Sequence, residues 1–152
     1  MRTRIIGLAA ALTIAIAASV IMAPPAAHSA APAIQLTKIY YDSPGRDRGS
    51  NASLNDEYVR LTNRGRHTVD LRGWTVRDKA GHTYRFSTSY RLAPGEHVYL
   101  HTGRAANTSR HRYWGRSWYV WNNTGDTAYL RNSAGTLVDR CSWGRGGSYT
   151  TC

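Results

Sequence analysis

Acidic residues are scarce in this chain of 152 residues: nine Asp and Glu stand against 20 Lys and Arg, for a formal net charge of +11. A glycosidase pair or a metal-dependent nuclease needs two or more acids converging in one cleft. Here Asp47, Asp78 and Asp126 fall in turn-like or loop-like stretches, and the adjacent Asp56 and Glu57 cannot both face one way on a strand. All of them read as turn and edge residues. Lysine is scarcer still, limited to Lys38 and Lys79, and cysteine to Cys141 and Cys152. No Gly-x-Ser-x-Gly elbow is present to seat a nucleophilic serine. The glycine-rich run at 144–147 has no helix after it to bind an anion. Past His28, histidines are spread over 67, 82, 97, 101 and 111, with no His-x-His pair. His97 and His101 share a strand face but lie roughly 13 Å apart, too far for one zinc ion whose ligands sit about 2 Å away. Only a metal site assembled across strands is left open. These absences set an expectation of no catalytic residue, no metal and no cofactor.

What is present begins with a leader. Arg2 and Arg4 precede an apolar run over 5–22, Pro24-Pro25 ends it, and the small residues Ser29, Ala30 and Ala31 follow. This is the layout of a secretory signal peptide over 1–30, cleaved near 29–31. An uncleaved anchor is the rival, because the run is long enough for a thin bilayer. Small residues after Pro-Pro suit a peptidase better than a stop-transfer flank. The product, 31–152, is expected to be one secreted domain, extracellular or at the cell surface. It has no second apolar stretch able to cross a membrane. In an oxidising compartment Cys141 and Cys152 can only pair with each other. That bridge is worth on the order of 3 kcal/mol at most and would pin the Gly- and Ser-rich tail. A metal site on the two thiolates lacks a second pair of ligands.

No helical period appears anywhere in 31–152. Residues 34–41 alternate, slip once near Lys38 and continue, as a β-bulge would make them do. Residues 42–55 read as a long exposed loop. Val59 and Leu61 share a buried face, Val98 and Leu100 alternate against His97, Tyr99 and His101, and Pro94-Gly95 suits a type II turn. Residues 118–121 read as a short aromatic strand and 137–143 as the last one. About eight or nine short strands, with turn signals every eight to twelve residues, point to an all-β sandwich or barrel.

Loss of Arg2 and Arg4 from the +11 leaves +9 on the secreted part, a balance that favours anionic partners as well as solubility. The stretch 110–121 holds three of the five tryptophans with Arg110, Arg112 and Arg116. Guanidinium forks clamp phosphate or carboxylate, and aromatic faces stack on bases or sugars. Arg110, Arg112, Tyr113, Trp114 and Arg116 are therefore the candidate ligand-binding residues, although alternation sends half of the aromatic content of this stretch into the core.

Several segments resemble a known family. Asp56-Glu-Tyr-Val-Arg-Leu-Thr-Asn63, Val69-Asp-Leu-Arg-Gly-Trp-Thr-Val-Arg-Asp78, Leu92-Ala-Pro-Gly-Glu-His-Val-Tyr-Leu100 and Trp121-Asn-Asn-Thr-Gly-Asp-Thr-Ala-Tyr-Leu-Arg-Asn132, in this order and spacing, are similar to the lamin tail domain, in its small exported bacterial form. The resemblance implies an immunoglobulin-like two-sheet β-sandwich with no catalytic residues to carry over. It implies a bend at Gly73, a packed Trp74, and turn roles for Asn63, Asn122 and Asp126. No heptad segment accompanies it, so filament assembly does not carry over. The functional expectation is a secreted, non-enzymatic module that binds an anionic wall polymer or glycan. Extracellular nucleic acid comes next. A protein-binding scaffold using a sheet edge is the alternative from another class, separable by salt, and a small hydrolase with an unrecognised site is the third.

Overall fold

The computed structural model describes residues 31–152, and the leader expected over 1–30 lies outside the described residues. The chain runs β1 (Ile34–Tyr40), α1 (Asn51–Asp56), β2 (Tyr58–Asn63), β3 (Val69–Asp70), β4 (Thr75–Arg77), β5 (Thr83–Arg85), β6 (Arg91–Leu92), β7 (His97–His101), β8 (His111–Tyr113), β9 (Asp126–Arg131), β10 (Leu137–Trp143) and β11 (Tyr149–Thr151). Five strands form one sheet in the order β11-β1-β2-β7-β8. Four form a second, β10-β9-β4-β5, and β3 pairs with β6 in a small ribbon. Every pairing is antiparallel except β7 with β8. The two main sheets hold the number of strands expected from the turn spacing, and the ribbon is an addition.

Alternation explains the strands. Val59 and Leu61 of β2, Val98 and Leu100 of β7, and Ala128 and Leu130 of β9 are buried, while their neighbours along each strand are not. They join Ile34, Leu36, Ile39, Val76, Phe86 and Trp121 in one contiguous core. Each buried aliphatic side chain contributes about 1.5–3 kcal/mol through loss of apolar surface. The slip in β1 is a bulge, because pairing to β2 shifts between Leu36 and Lys38. The extra residue, Thr37, is buried, and its Oγ1 lies 2.8 Å from Thr62 Oγ1 and accepts from Arg60 Nε at 2.9 Å. The bulge returns Ile39 to the core. In the turn before β7, Gly95 has φ +78° and the Glu96 amide donates to the Ala93 carbonyl at 3.0 Å.

Three expectations need correction. Residues 51–55, expected within a loop, form with Asp56 the single helical turn α1: Ser50 caps it by accepting from the Ser53 amide, and Leu54 is its one buried side chain. Residues 118–121 are not a strand. Glu57 captures the Val120 and Trp121 amides that a ladder would have used, so Val120 and Trp121 are both buried while Trp118 is 58% exposed. Finally, β10 is not the last strand. The tail ends in β11, which pairs with β1 in the other sheet. The Cys141–Cys152 disulfide is formed, with Cα atoms 5.7 Å apart, and it ties β10 of one sheet to the residue after β11 of the other.

Candidate binding face

The outward side chains of the five-stranded sheet carry chemistry that the linear sequence scatters. Cross-strand register lines up Tyr149, Tyr40, Tyr58, His101 and Tyr113, one from each strand, in a single row. Two residues along, the next row reads Thr151, Lys38, Arg60, Tyr99 and His111. The core face is apolar for the same reason that this face is not: the side chains of each strand alternate. The rings touch. Tyr40 lies nearly parallel to Tyr58 at 5.6 Å and to Tyr149 at 6.1 Å, and His101 to Tyr113 at 4.9 Å. Tyr99 lies nearly parallel to His111 at 5.2 Å. Lys38 Nζ sits 4.0 Å from the Tyr149 ring centroid, a cation–π contact.

Two histidines knit β7 to β8. His101 Nδ1 lies 2.6 Å from the Asn55 carbonyl, which can only accept, so His101 carries its proton there. Its Nε2 then accepts from His111 Nδ1–H at 2.8 Å. Burial holds the His101 pKa below the usual imidazole value. His97 is also held down, by burial first and then by the charges of Arg110 and Arg60. The Lys and Arg side chains beside the face are Lys38, Arg60 and Arg110. Beside the middle of the first row, α1 and the loop before it wall an open cleft of about 260 Å³ lined by Tyr40, Pro44, Asn55, Asp56, Tyr58 and His101.

The stretch singled out from sequence is divided between two sides of β8. Tyr113 stands outward beside His101 in the first row. Arg112, opposite Leu100 in register, turns the other way: its guanidinium lies 4.3 Å from the Tyr90 ring centroid and donates to the Thr108 carbonyl. Trp114 packs against the core, edge-on to Tyr84 and Trp121. Arg110 is exposed at the start of β8, and its carbonyl accepts from the Tyr99 amide at 2.9 Å. Arg116 is half-buried, with its amide donating to the Thr102 carbonyl at 3.0 Å. Tyr113 and Arg110 therefore adjoin the aromatic face, while Arg112 and Trp114 do not. Tyr40, Tyr58, Tyr99, Tyr149, His101 and His111 were missing from the sequence-derived set. Tyr40, Tyr58, Tyr99 and His101 each lie next to a core residue along the strand, which marks them as outward, while Tyr149 and His111 carry no such mark, and only register shows that the six meet.

The acids are spent within the fold. Glu57 is fully buried, and its Oε1 accepts from Thr102 Oγ1 at 2.6 Å and from the Val120 and Trp121 amides at 2.9 and 3.3 Å. Burial raises its pKa to about 7 against the lowering effect of those hydrogen bonds. The turn-or-edge reading of Glu57 is thus corrected. It lies in phase with Val59 and Leu61, a signal that was present in the sequence. Asp78 accepts from the Gly81 and His82 amides and pairs with His82 Nδ1 at 2.6 Å. Asp126 accepts from the Lys79 and Thr127 amides and from Asn122. Asp42 and Asp47 hold Asn123, Asp70 holds Arg72 and Tyr90 amides, Glu96 holds the Ala93 amide and Asp139 that of Leu36. Among the described residues, no Lys or Arg lies within 4.0 Å of a carboxylate.

The model of one family, the Lamin Tail Domain, matches residues 27–145 of this sequence. The chain belongs to the lamin tail domain family. No curated protein matches it. The matched span takes in every strand of the domain except β11, and the immunoglobulin-like sandwich of the family is the architecture seen here. The lamin tail domain is a non-enzymatic module family. Its turn positions in this chain behave as the resemblance implies. Asn63 is fully buried, with Nδ2 donating to the His67 and Leu92 carbonyls, both at 2.8 Å, and Oδ1 accepting from the Gly65 amide at 2.9 Å. Gly73 has φ +81° ahead of the half-buried Trp74.

Proposed function

We propose that this lamin tail domain is an exported, non-enzymatic binding module that holds an anionic glycan on the outer face of its five-stranded sheet, at or outside the cell surface. The row Tyr149-Tyr40-Tyr58-His101-Tyr113, flanked by Lys38 and Arg60, carries the reading. Phenol hydroxyls and ring edges meet sugar hydroxyls and C–H groups, the two cations meet carboxylates, and Asp56 in the adjoining cleft accepts from hydroxyls. A glycan suits the face better than single-stranded nucleic acid. Tyr40 is already sandwiched between the parallel rings of Tyr149 and Tyr58, which closes both of its faces to a base. Export rests on the leader pattern of 1–30. The non-enzymatic reading is supported by the acids: eight of the nine accept hydrogen bonds from the protein's own groups, and Asp42 and Asp47, which do meet, are both taken by Asn123 Nδ2.

A salt-titrated pull-down of residues 31–152 on polygalacturonate, peptidoglycan and single-stranded DNA tests this. The partner variant is Tyr40→Thr with Tyr58→Thr, which keeps β-branched residues on the strands. Polygalacturonate should retain the parent best, increasingly as salt falls, and the variant should lose most of that retention. Equal retention of parent and variant, or retention that ignores salt, contradicts the reading. The latter would favour docking of a protein at a sheet edge.

A further inference from the structure

We propose that the outer face of the four-stranded sheet is a second, separate surface, which takes a flexible single-chain phosphodiester polymer of the polyol-phosphate type. Register on β10-β9-β4 places Arg140, Tyr129 and Arg77 in one row, and register on β9-β4-β5 places Arg131, Thr75 and Arg85 in the next. Residues two apart on a strand are about 7 Å apart, and positions two strands apart about 10 Å. Four arginines thus stand at the corners of a skewed patch around Tyr129 and Thr75: the pair in each row is about 10 Å apart, the rows are about 7 Å apart, and a one-strand offset spreads the patch over about 14 Å. Arg77, Arg131, Tyr129 and Lys79 line a shallow hollow of about 310 Å³ on this patch.

The four arginines are free to take phosphate. Arg131 and Arg85 each donate one N–H to a backbone carbonyl, of Gly135 and Gly73, both at 2.9 Å, which steadies the side chains without neutralising them. Asp78, the acid that lines the hollow, is buried, and both its oxygens are engaged by Gly81 and His82. Guanidinium forks match phosphate oxygens in a bidentate manner.

The occupant follows from shape. This face has one aromatic, Tyr129, and so lacks a platform on which unpaired bases stack. It is a twisted sheet whose hairpins, β4-β5 and β9-β10, lie within the sheet, and among the described residues it carries no helix to enter a groove. A rigid duplex, convex as a cylinder, touches it along a line and reaches few of the four corners. A flexible phosphodiester chain can bend so that successive phosphates reach all four. The compartment of that polymer rests on the export reading. The surface does not depend on the glycan face, because it lies on the opposite sheet.

The test is fluorescence anisotropy of labelled poly(glycerol phosphate), duplex DNA and single-stranded DNA of matched charge, titrated with residues 31–152 between 25 and 200 mM salt. Poly(glycerol phosphate) should bind most tightly, with a slope of log K against log salt of about −3 to −4 for four contacts. Arg77→Gln with Arg131→Gln should weaken it at least tenfold and lower the slope by about two. Arg77→Lys with Arg131→Lys should keep the salt slope of the parent but lose affinity severalfold with the forks, less than the Gln variant loses, which separates loss of charge from loss of fold. The Tyr40→Thr, Tyr58→Thr variant should bind poly(glycerol phosphate) like the parent. Tighter binding of either DNA, unchanged binding by the Gln variant, or loss in the tyrosine variant overturns the proposal.

Discussion

Glu57 accepts a 2.6 Å hydrogen bond from Thr102 in the interior, and the same oxygen holds the amides of Val120 and Trp121. One buried carboxyl thus fixes the entry of β2, the exit of β7 and the loop that leads to β9. Its pKa of about 7 in the fold lies above the 4.5 of an unburied group, chiefly because of burial. Between those values the folded state keeps a proton that the unfolded state has released, so stability falls as pH rises from 4.5 to 7 and is flat above. A raised acid pKa acts in the sense opposite to the lowered pKa values of His97 and His101, which disfavour folding as pH drops below their ordinary range. Glu57→Gln stays neutral throughout and isolates the carboxyl. The parent should lose on the order of 3 kcal/mol, relative to the Gln variant, between pH 4.5 and 8. Urea denaturation of both proteins across that range measures it, and parallel stability curves would contradict it.

The disulfide does more than tie down a tail. Because Cys141 is on β10 and Cys152 follows β11, the bridge staples the edge of one sheet to the edge of the other and holds Tyr149 beside Tyr40. Replacing both cysteines with alanine should cost about 3 kcal/mol and should also reduce polygalacturonate affinity severalfold. Denaturation and binding of the same variant, beside the parent under reducing agent, check both. A stability loss with unchanged affinity would show that Tyr149 takes no part in the face.

Arg112 and Tyr113 are neighbours with opposite duties. Arg112→Ala should leave glycan binding near the parent value while costing about 1 kcal/mol through the lost contact with Tyr90. Tyr113→Thr should do the reverse, weakening binding with little change in the thermal midpoint. Binding and thermal melts of the two variants provide the comparison. A large binding loss in Arg112→Ala would restore the cluster read from the sequence.

Asn63 bridges two loops from a fully buried position. Asn63→Ala strands the His67 and Leu92 carbonyls and the Gly65 amide, and should cost about 3 kcal/mol. Asn63→Asp keeps the acceptor for Gly65 but loses both donors, and should be no better. Urea midpoints of the two variants test the assignment.

The sequence carried the alternating cores of β1, β2 and β7, a bulge near Lys38, the Ala93–Glu96 turn and the pairing of the only two cysteines. Each of these is local or forced by number. It did not carry α1, because a six-residue turn with Leu54 as its one buried residue has no period to read. Residues 118–121 misled because their composition favours a strand while a distant side chain, Glu57, holds their amides. The aromatic row was invisible for a different reason. Its members come from positions 40, 58, 101, 113 and 149, and only register brings them together. In 110–116 the density of Arg and aromatics drew attention to one segment, yet strand alternation divides that segment between two sides.

The most direct test is to titrate an oligogalacturonate into isotope-labelled residues 31–152 and follow amide chemical shifts. Shifts concentrated on β1, β2, β7, β8 and β11, largest around Tyr40, Tyr58 and His101, are the expected result. Shifts confined to β4, β9 and β10, or no shifts at millimolar ligand, would contradict the assignment of the glycan to the tyrosine-rich face.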